Sequence, residues 1–260
     1  MGLRRRFAPV ALVVLAVPAG AEPAPHPDCA LAPARIETLE GIGPRGELRF
    51  ASGGRAVLDS LHWPEDETAA RERIGARAGQ RLAISPRGGP DRWGRERVGA
   101  ESLTDGADLA GDLVAAGLVP VDPGEADELC RPALRLLEQA ARRQRLGLWW
   151  EDPIDAQDGP ALRRLAGHYA VVEGRVRHVG ERSTRTYLDF VPRGGDGLTV
   201  TVTKRTWRRM AAHGLTADSL HDTRVRVRGV IDVRRGPILV AATPDAIEML
   251  DGQDDSGVRR

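Results

Sequence analysis

Five arginines sit in two short alternating stretches, and alternation places like side chains on one face of a strand. Arg224, Arg226 and Arg228 alternate with Val225 and Val227, and Arg175 and Arg177 flank Val176. Guanidiniums in a row suit phosphate or another polyanion. Tyr187 and Phe190 are close in sequence, and rings so placed can stack on bases in a barrel that binds single strands. Two other destinations are open to these arginines: a solvated face, or the acids of another part of the chain. The stretch Gly41-Ile42-Gly43-Pro44-Arg45-Gly46 spells G-x-G-x-x-G. A dinucleotide site needs a helix N-terminus immediately afterwards, whereas residues 47–51 alternate as a strand, so that chemistry is rejected.

These residues need a scaffold. In a chain of 260 residues, 41% apolar types and 29% charge describe a globular protein. No apolar run is long enough to span a bilayer as a helix. Two cysteines and six scattered histidines exclude a structural zinc site. Residues 1–21 join a basic start, a short apolar core and Ala19-Gly20-Ala21, the pattern of a secretory signal peptide. Export leaves the remaining chain with no transmembrane anchor, in a periplasmic or secreted location. Cys29 and Cys130 are the only cysteines, and an oxidising compartment predicts that they pair.

Residues 22–32 form a lead, and 151–160, rich in proline and acids, mark a linker between two domains, 33–150 and 161–250. Residues 251–260 form a polar tail that predicts disorder. Residues 22–159 carry 17 arginines against 25 acids, a net of −8, and residues 160–250 carry 16 basic residues against 9 acids, a net of +7. The first domain predicts strands at 35–39, 47–51, 55–61, 81–85 and 96–101. Helices at 107–116, capped by Asp105, and at 132–146 follow. The fold class is thus mainly β with α, a five-stranded barrel capped by helices. The second domain predicts strands at 172–179, 186–191 and 198–203, a helix at 204–213, then strands at 223–233 and 237–242. Three strands, a helix and two strands is the OB-fold order, which makes a second, basic barrel.

Three motifs in the first domain carry a resemblance. Asp91-Arg92-Trp93-Gly94-Arg95 fits a D-x-aromatic-G-R turn, residues 113–118 fit a helix ending in G-L, and residues 137–149 fit a helix closing with G-L-W. Together they resemble the thermonuclease, or staphylococcal-nuclease-like, family over roughly 33–150. The resemblance implies an OB barrel whose phosphodiester chemistry uses calcium on two aspartates, two phosphate-clamping arginines and a glutamate beside the attacking water. Arg95 matches one arginine, and Glu65, in Pro64-Glu65, matches the glutamate. The other arginine position holds Val57, one metal aspartate position holds His62, and the other falls in the aspartate-free stretch 41–47. Arg55, Glu47 and Asp59 are the available substitutes, and no metal ligand set is assigned.

The leading reading is therefore an exported thermonuclease-like protein with a degenerate metal site, a non-catalytic binder of nucleic acid or another polyanion without a cofactor. The alternatives are an active metal-dependent nuclease, which would need calcium, and an envelope protein-binding scaffold. The basic face of the second domain is expected either to bind the polyanion or to pair with the acidic first domain.

Overall fold

The computed structural model describes residues 27–64, 68–91, 93–124 and 128–251. The signal-peptide expectation, Glu65 and all but Asp251 of the tail lie outside the described residues. The protein is mainly β with some helices.

In the first half, β1 (Arg35–Ile42), β2 (Glu47–Phe50) and β3 (Arg55–Leu58) run as consecutive hairpins. Gly53, at φ 85°, turns the second hairpin at the predicted Ser52-Gly53-Gly54. The helix α1 (Thr68–Gly75) follows, then β4 (Arg81–Pro86) and β5 (Glu96–Ser102). The strand order is β1-β2-β3-β5-β4, and β4 pairs back onto β1, so the sheet closes. Its one parallel pairing is β3 with β5. Leu39, Leu48, Phe50, Leu82, Ile84 and Val98 point inside and are all but fully buried.

The helix α1 packs on β1 and α2 (Leu109–Ala115) on β5, while α3 (Leu134–Arg143) packs on α2. The cap of α2 is Asp108, whose carboxylate accepts the Gly111 N–H at 2.9 Å, rather than Asp105, which turns back onto the Ala107 N–H. Gly117 (φ 69°), just past the end of α2, packs against Gly147 (φ 53°), which opens the short turn after α3. A Cβ on Gly117 would lie 2.2 Å from the Leu146 carbonyl oxygen, and one on Gly147 would lie 2.3 Å from that of Gly117. The Leu148 N–H donates to the Gly117 carbonyl at 2.8 Å. Cys29 and Cys130 form a disulfide that ties the lead to the segment before α3.

The segment read as a linker is built into the second half. There β6 (Ile154–Asp155) pairs with β7 (Tyr169–Arg175), Ala156 is fully buried, and Asp158 caps α4 (Gly159–Arg164). Then come β8 (His178–Glu181), β9 (Arg185–Asp189), β10 (Thr199–Thr203), α5 (Lys204–Ala212), α6 (Ala217–Leu220), β11 (Arg224–Val233), β12 (Pro237–Val240) and β13 (Ile247–Met249). The path is β6-β7-β11-β12-β10-β9-β8, with β13 also on β11. The consecutive strands β7 and β8 stand at opposite ends of the β11-to-β9 run. Between them the chain changes partner within two residues: the Val176 N–H donates to Thr223 and the Arg177 N–H to Asp189. With β7 and β8 taken as one bent strand, the second half repeats the order of the first, again with its third and fifth strands, β10 and β12, paired in parallel; the added β6 is also parallel to β7.

Candidate ligand site between the two halves

The ends of β3 and β5 face β11 and β12 across a cavity of about 740 Å³. On the first-half side the chain leaves β3 through Asp59 and Ser60. Asp59 is 3% exposed; it accepts the Ser60 hydroxyl at 2.8 Å and lies 3.8 Å from the Arg97 guanidinium. Ser60 has φ 66°, a left-handed backbone that turns the chain sharply. Beyond it Leu61 bridges Val121, the His62 N–H donates to Pro120 and the Asp122 N–H donates to Ser60. These bonds hold His62 beside Asp122, Nδ1 to Oδ2 3.7 Å, and the imidazole stacks on Tyr169 of the second half with ring centres 4.0 Å apart.

The turn before β5 is self-paired. Asp91 accepts the backbone N–H groups of Trp93 and Arg95, each at 2.9 Å, and Arg95 Nε at 2.7 Å. Burial pushes the Asp91 carboxyl up, but these donors outweigh it and hold it below its ordinary value. The Arg95 guanidinium also lies over the Trp93 ring, 4.9 Å from its centre. Arg45, in the β1–β2 turn, is exposed, and among the described residues its guanidinium has no acceptor. Trp63 closes over Gly46 (φ 73°), where a Cβ would meet the indole at 2.2 Å.

On one flank of the cavity the halves are joined by a buried charge cluster. Arg228, its side chain 1% exposed, donates to the Val121 carbonyl at 2.7 Å, to Glu138 on α3 at 3.1 Å and to Glu248 on β13 at 3.3 Å. Glu138 is fully buried and also takes the Val121 N–H and Arg142. Burial pulls the Arg142 guanidinium down to about 10 against the opposing pull of Glu138, so it stays charged at neutral pH. Its plane rests 4.9 Å from the centre of a Trp149 ring. Burial pushes the Glu248 carboxyl up, but Arg226, Arg142 and Arg228 together hold it below the ordinary range. Tyr169 donates to the Val121 carbonyl at 3.3 Å, and Asp245 accepts the Leu129 N–H and Arg135 from the first half.

The sequence-derived site residues separate under this geometry. Asp59 and Arg95 line the cavity, whereas Arg55 and Glu47 do not. Glu47 folds into its own turn, accepting the Arg45 N–H at 2.8 Å, and Arg55 is exposed on β3. Phe190 is no stacking platform: it is fully buried in the second-half core, while Tyr187 is half-buried on β9. The basic stripe is not an open face either. Arg224 and Arg226 pair with Glu173 on the neighbouring β7, Arg226 also reaches Glu248, and Arg228 is inside the cluster. Arg175 and Arg177 remain at the surface beside Asp251 and Asp222. Sequence reasoning missed His62 as a cavity residue, as well as Arg45, Arg97, Asp122, Tyr169 and Thr243. The partners of His62, Arg97, Asp122 and Tyr169 lie far away along the chain, and no local spacing announces them. No protein-family model matches the chain, and no curated protein matches it.

Proposed function

We propose that the protein is an exported, thermonuclease-like binder that holds nucleic acid or another polyanion at the cleft between its halves without cutting it. The order β1-β2-β3-β5-β4, with α1 between β3 and β4, supports an OB barrel for 33–150, and the repeated order supports a second one for 161–250. The Cys29–Cys130 bond is compatible with export. The observation that carries the binding reading is the cavity itself, where Arg45, Arg95 and Arg97 stand with the rings of Trp63 and Trp93. Cations beside flat rings suit phosphates and bases. The arginines of the second-half stripe carry less of this reading, because Glu173, Glu138 and Glu248 meet their charge away from the mouth. In the first half Asp91 pairs with Arg95 and Asp59 lies near Arg97, and Arg45 is the cation whose guanidinium has no acceptor among the described residues.

The non-catalytic part of the reading rests on residue identity. The positions of the two family aspartates hold His62, which stacks on Tyr169, and a turn whose only carboxylate, Glu47, bonds its own backbone. Imidazole is a poor ligand for calcium. One observation favours the active alternative: Asp59 keeps a buried carboxylate in the cavity beside Arg97. The test incubates the mature chain with single- and double-stranded DNA and RNA, in calcium, magnesium, manganese or chelator. Binding that weakens steeply with salt, with the nucleic acid left intact, is expected. Metal-dependent cleavage lost in both Glu65→Ala and Arg95→Ala restores the enzyme. Absence of binding at low salt rejects the proposal outright.

A further inference from the structure

We infer that the outward face of α3, with the segment that closes it, is a two-fold interface with a second copy of this chain. Five of the eleven exposed large apolar side chains among the described residues fall within residues 136–150: Leu136, Leu137, Leu146, Leu148 and Trp150. Apolar residues exposed singly need no explanation, whereas a run of them marks an interaction surface. Leu136 is 68% exposed and Trp150 73%. The buried tryptophan of the G-L-W turn is Trp149, so its neighbour Trp150 is free to project into solvent.

Local structure turns these side chains outward. The helix buries Leu134, Glu138 and Ala141, and at helical spacing Ala133, Leu136, Leu137 and Ala140 form a second stripe turned away from them. A helix that meets only water carries polar residues there. The Leu146 N–H donates to the Ala141 carbonyl at 3.0 Å, which folds the chain back over the end of α3 before Leu148 and Trp150. None of these residues lines the cavity.

The neighbouring charges decide the partner. Arg143, Arg145, Glu151 and Asp152 are all exposed, two of each sign. Arg145 and Asp152 lie 3.3 Å apart, but with side chains 63% and 86% exposed that pair is weak and its members are free to exchange partners. An anionic bilayer is repelled by two acids next to Trp150. A copy of the same surface, turned about a two-fold axis, sets the arginines of each chain against the acids of the other. Leu136 also projects with Ala133 and Ala140 about one turn to either side, so a copy finds room beside it. An apolar centre within a polar rim is the anatomy of such an interface. The inference is independent of what the cleft holds.

The test is sedimentation velocity of the intact mature chain over about 1–100 µM, the weak end of the range for protein interfaces. A monomer–dimer equilibrium is expected. Leu136→Glu and Trp150→Ala should each raise the dissociation constant at least about tenfold, with the urea midpoint unchanged because both side chains are at the surface. Arg143→Glu leaves three acids and one arginine at the rim, and Asp152→Arg leaves three arginines and one acid. Each variant alone should stay monomeric, and an equimolar mixture of the two should associate, a rescue that no contact within one chain can produce. Cosedimentation with vesicles of phosphatidylglycerol and phosphatidylethanolamine tests the rival surface. A chain that stays monomeric over the whole range, with or without vesicle binding, overturns the inference. A dimer that survives both Leu136→Glu and Trp150→Ala overturns it as well, and so does a mixture of the charge variants that fails to associate.

Discussion

The two halves share one strand order and spend their arginines in opposite ways. In the first half, Arg45, Arg95 and Arg97 stay at the cavity, Arg95 held by a turn that supplies its own acid and its own ring. In the second half, Arg224, Arg226 and Arg228 form a more regular row, yet each is met by a carboxylate from a neighbouring strand or from α3. The excess of acids in 22–159 and of bases in 160–250 is partly explained by this meeting: Glu138, inside the acidic half, is neutralised by Arg228 from the basic half. An alternating row of like charge therefore says that a face exists, while the opposing surface decides whether the face is wet.

The largest expected effect comes from breaking that meeting. Arg228→Met leaves the fully buried Glu138 with Arg142 as its remaining cationic partner and is expected to cost about 3–5 kcal/mol in urea unfolding. Adding Glu138→Met should recover most of it, because removing both charges removes the desolvation penalty as well. A single mutant within about 0.5 kcal/mol of the parent would show that the cluster does not couple the halves.

Acid comes next. Glu248 is held below its ordinary value in the folded state, so it contributes stability that is fully present above the unfolded carboxylate pKa of about 4.3 and is lost as the pH falls through its depressed folded value. Asp91 and Asp112 are shifted the same way, Asp112 chiefly through its bonds from Arg73. The urea midpoint should be flat from pH 7 to 5 and fall below about pH 4.5. Glu248→Gln should flatten part of that fall, and an unchanged slope would remove Glu248 from the account. The smallest effect belongs to Arg224→Ala. Its side chain is 55% exposed, and screening limits its pair with Glu173 to at most about 1 kcal/mol. A loss comparable to that of Arg228→Met would erase the distinction between the rim and the buried centre of the row.

Much of the fold was legible in the sequence, for local reasons. Alternation located eleven of the thirteen strands among the described residues to within a few residues, reading β7 and β8 as one run and missing the short β6 and β13. The glycines at 53 and 117 ended the elements they were expected to end, whereas α3 stops at Arg143, short of Gly147. The helix α1 was not anticipated: its weakly amphipathic TAARERIG buries only Ala70 and Ile74. The nearer Asp108 displaced Asp105 as the cap of α2, and the stretch 151–160, whose composition reads as slack, carries a paired strand and a buried alanine. The site was legible only where one turn contains its own logic, as in Asp91–Arg95. The stack of His62 on Tyr169 and the pairing of Arg228 with Glu138 join residues about a hundred positions apart. Periodicity reports which face a side chain is on and nothing of what comes to cover it. Phe190 shows the same limit, since a ring at a strand end has the same spacing whether it faces solvent or core.

The contact of Gly117 with Gly147 bears on how the molecule can be divided. Gly117 receives the Leu148 N–H and leaves no room for a side chain, and the Trp149 ring lies 3.2 Å from where its Cβ would be. A fragment meant to stand for the first half must therefore run through Trp149, or α2 ends against nothing. Such a fragment still carries Glu138 without Arg228, and Val121 without two of its donors. The boundary that is easiest to cut in the sequence is thus a poor place to cut the protein, and autonomy of the first half would have to be engineered, with Glu138 the first residue to neutralise.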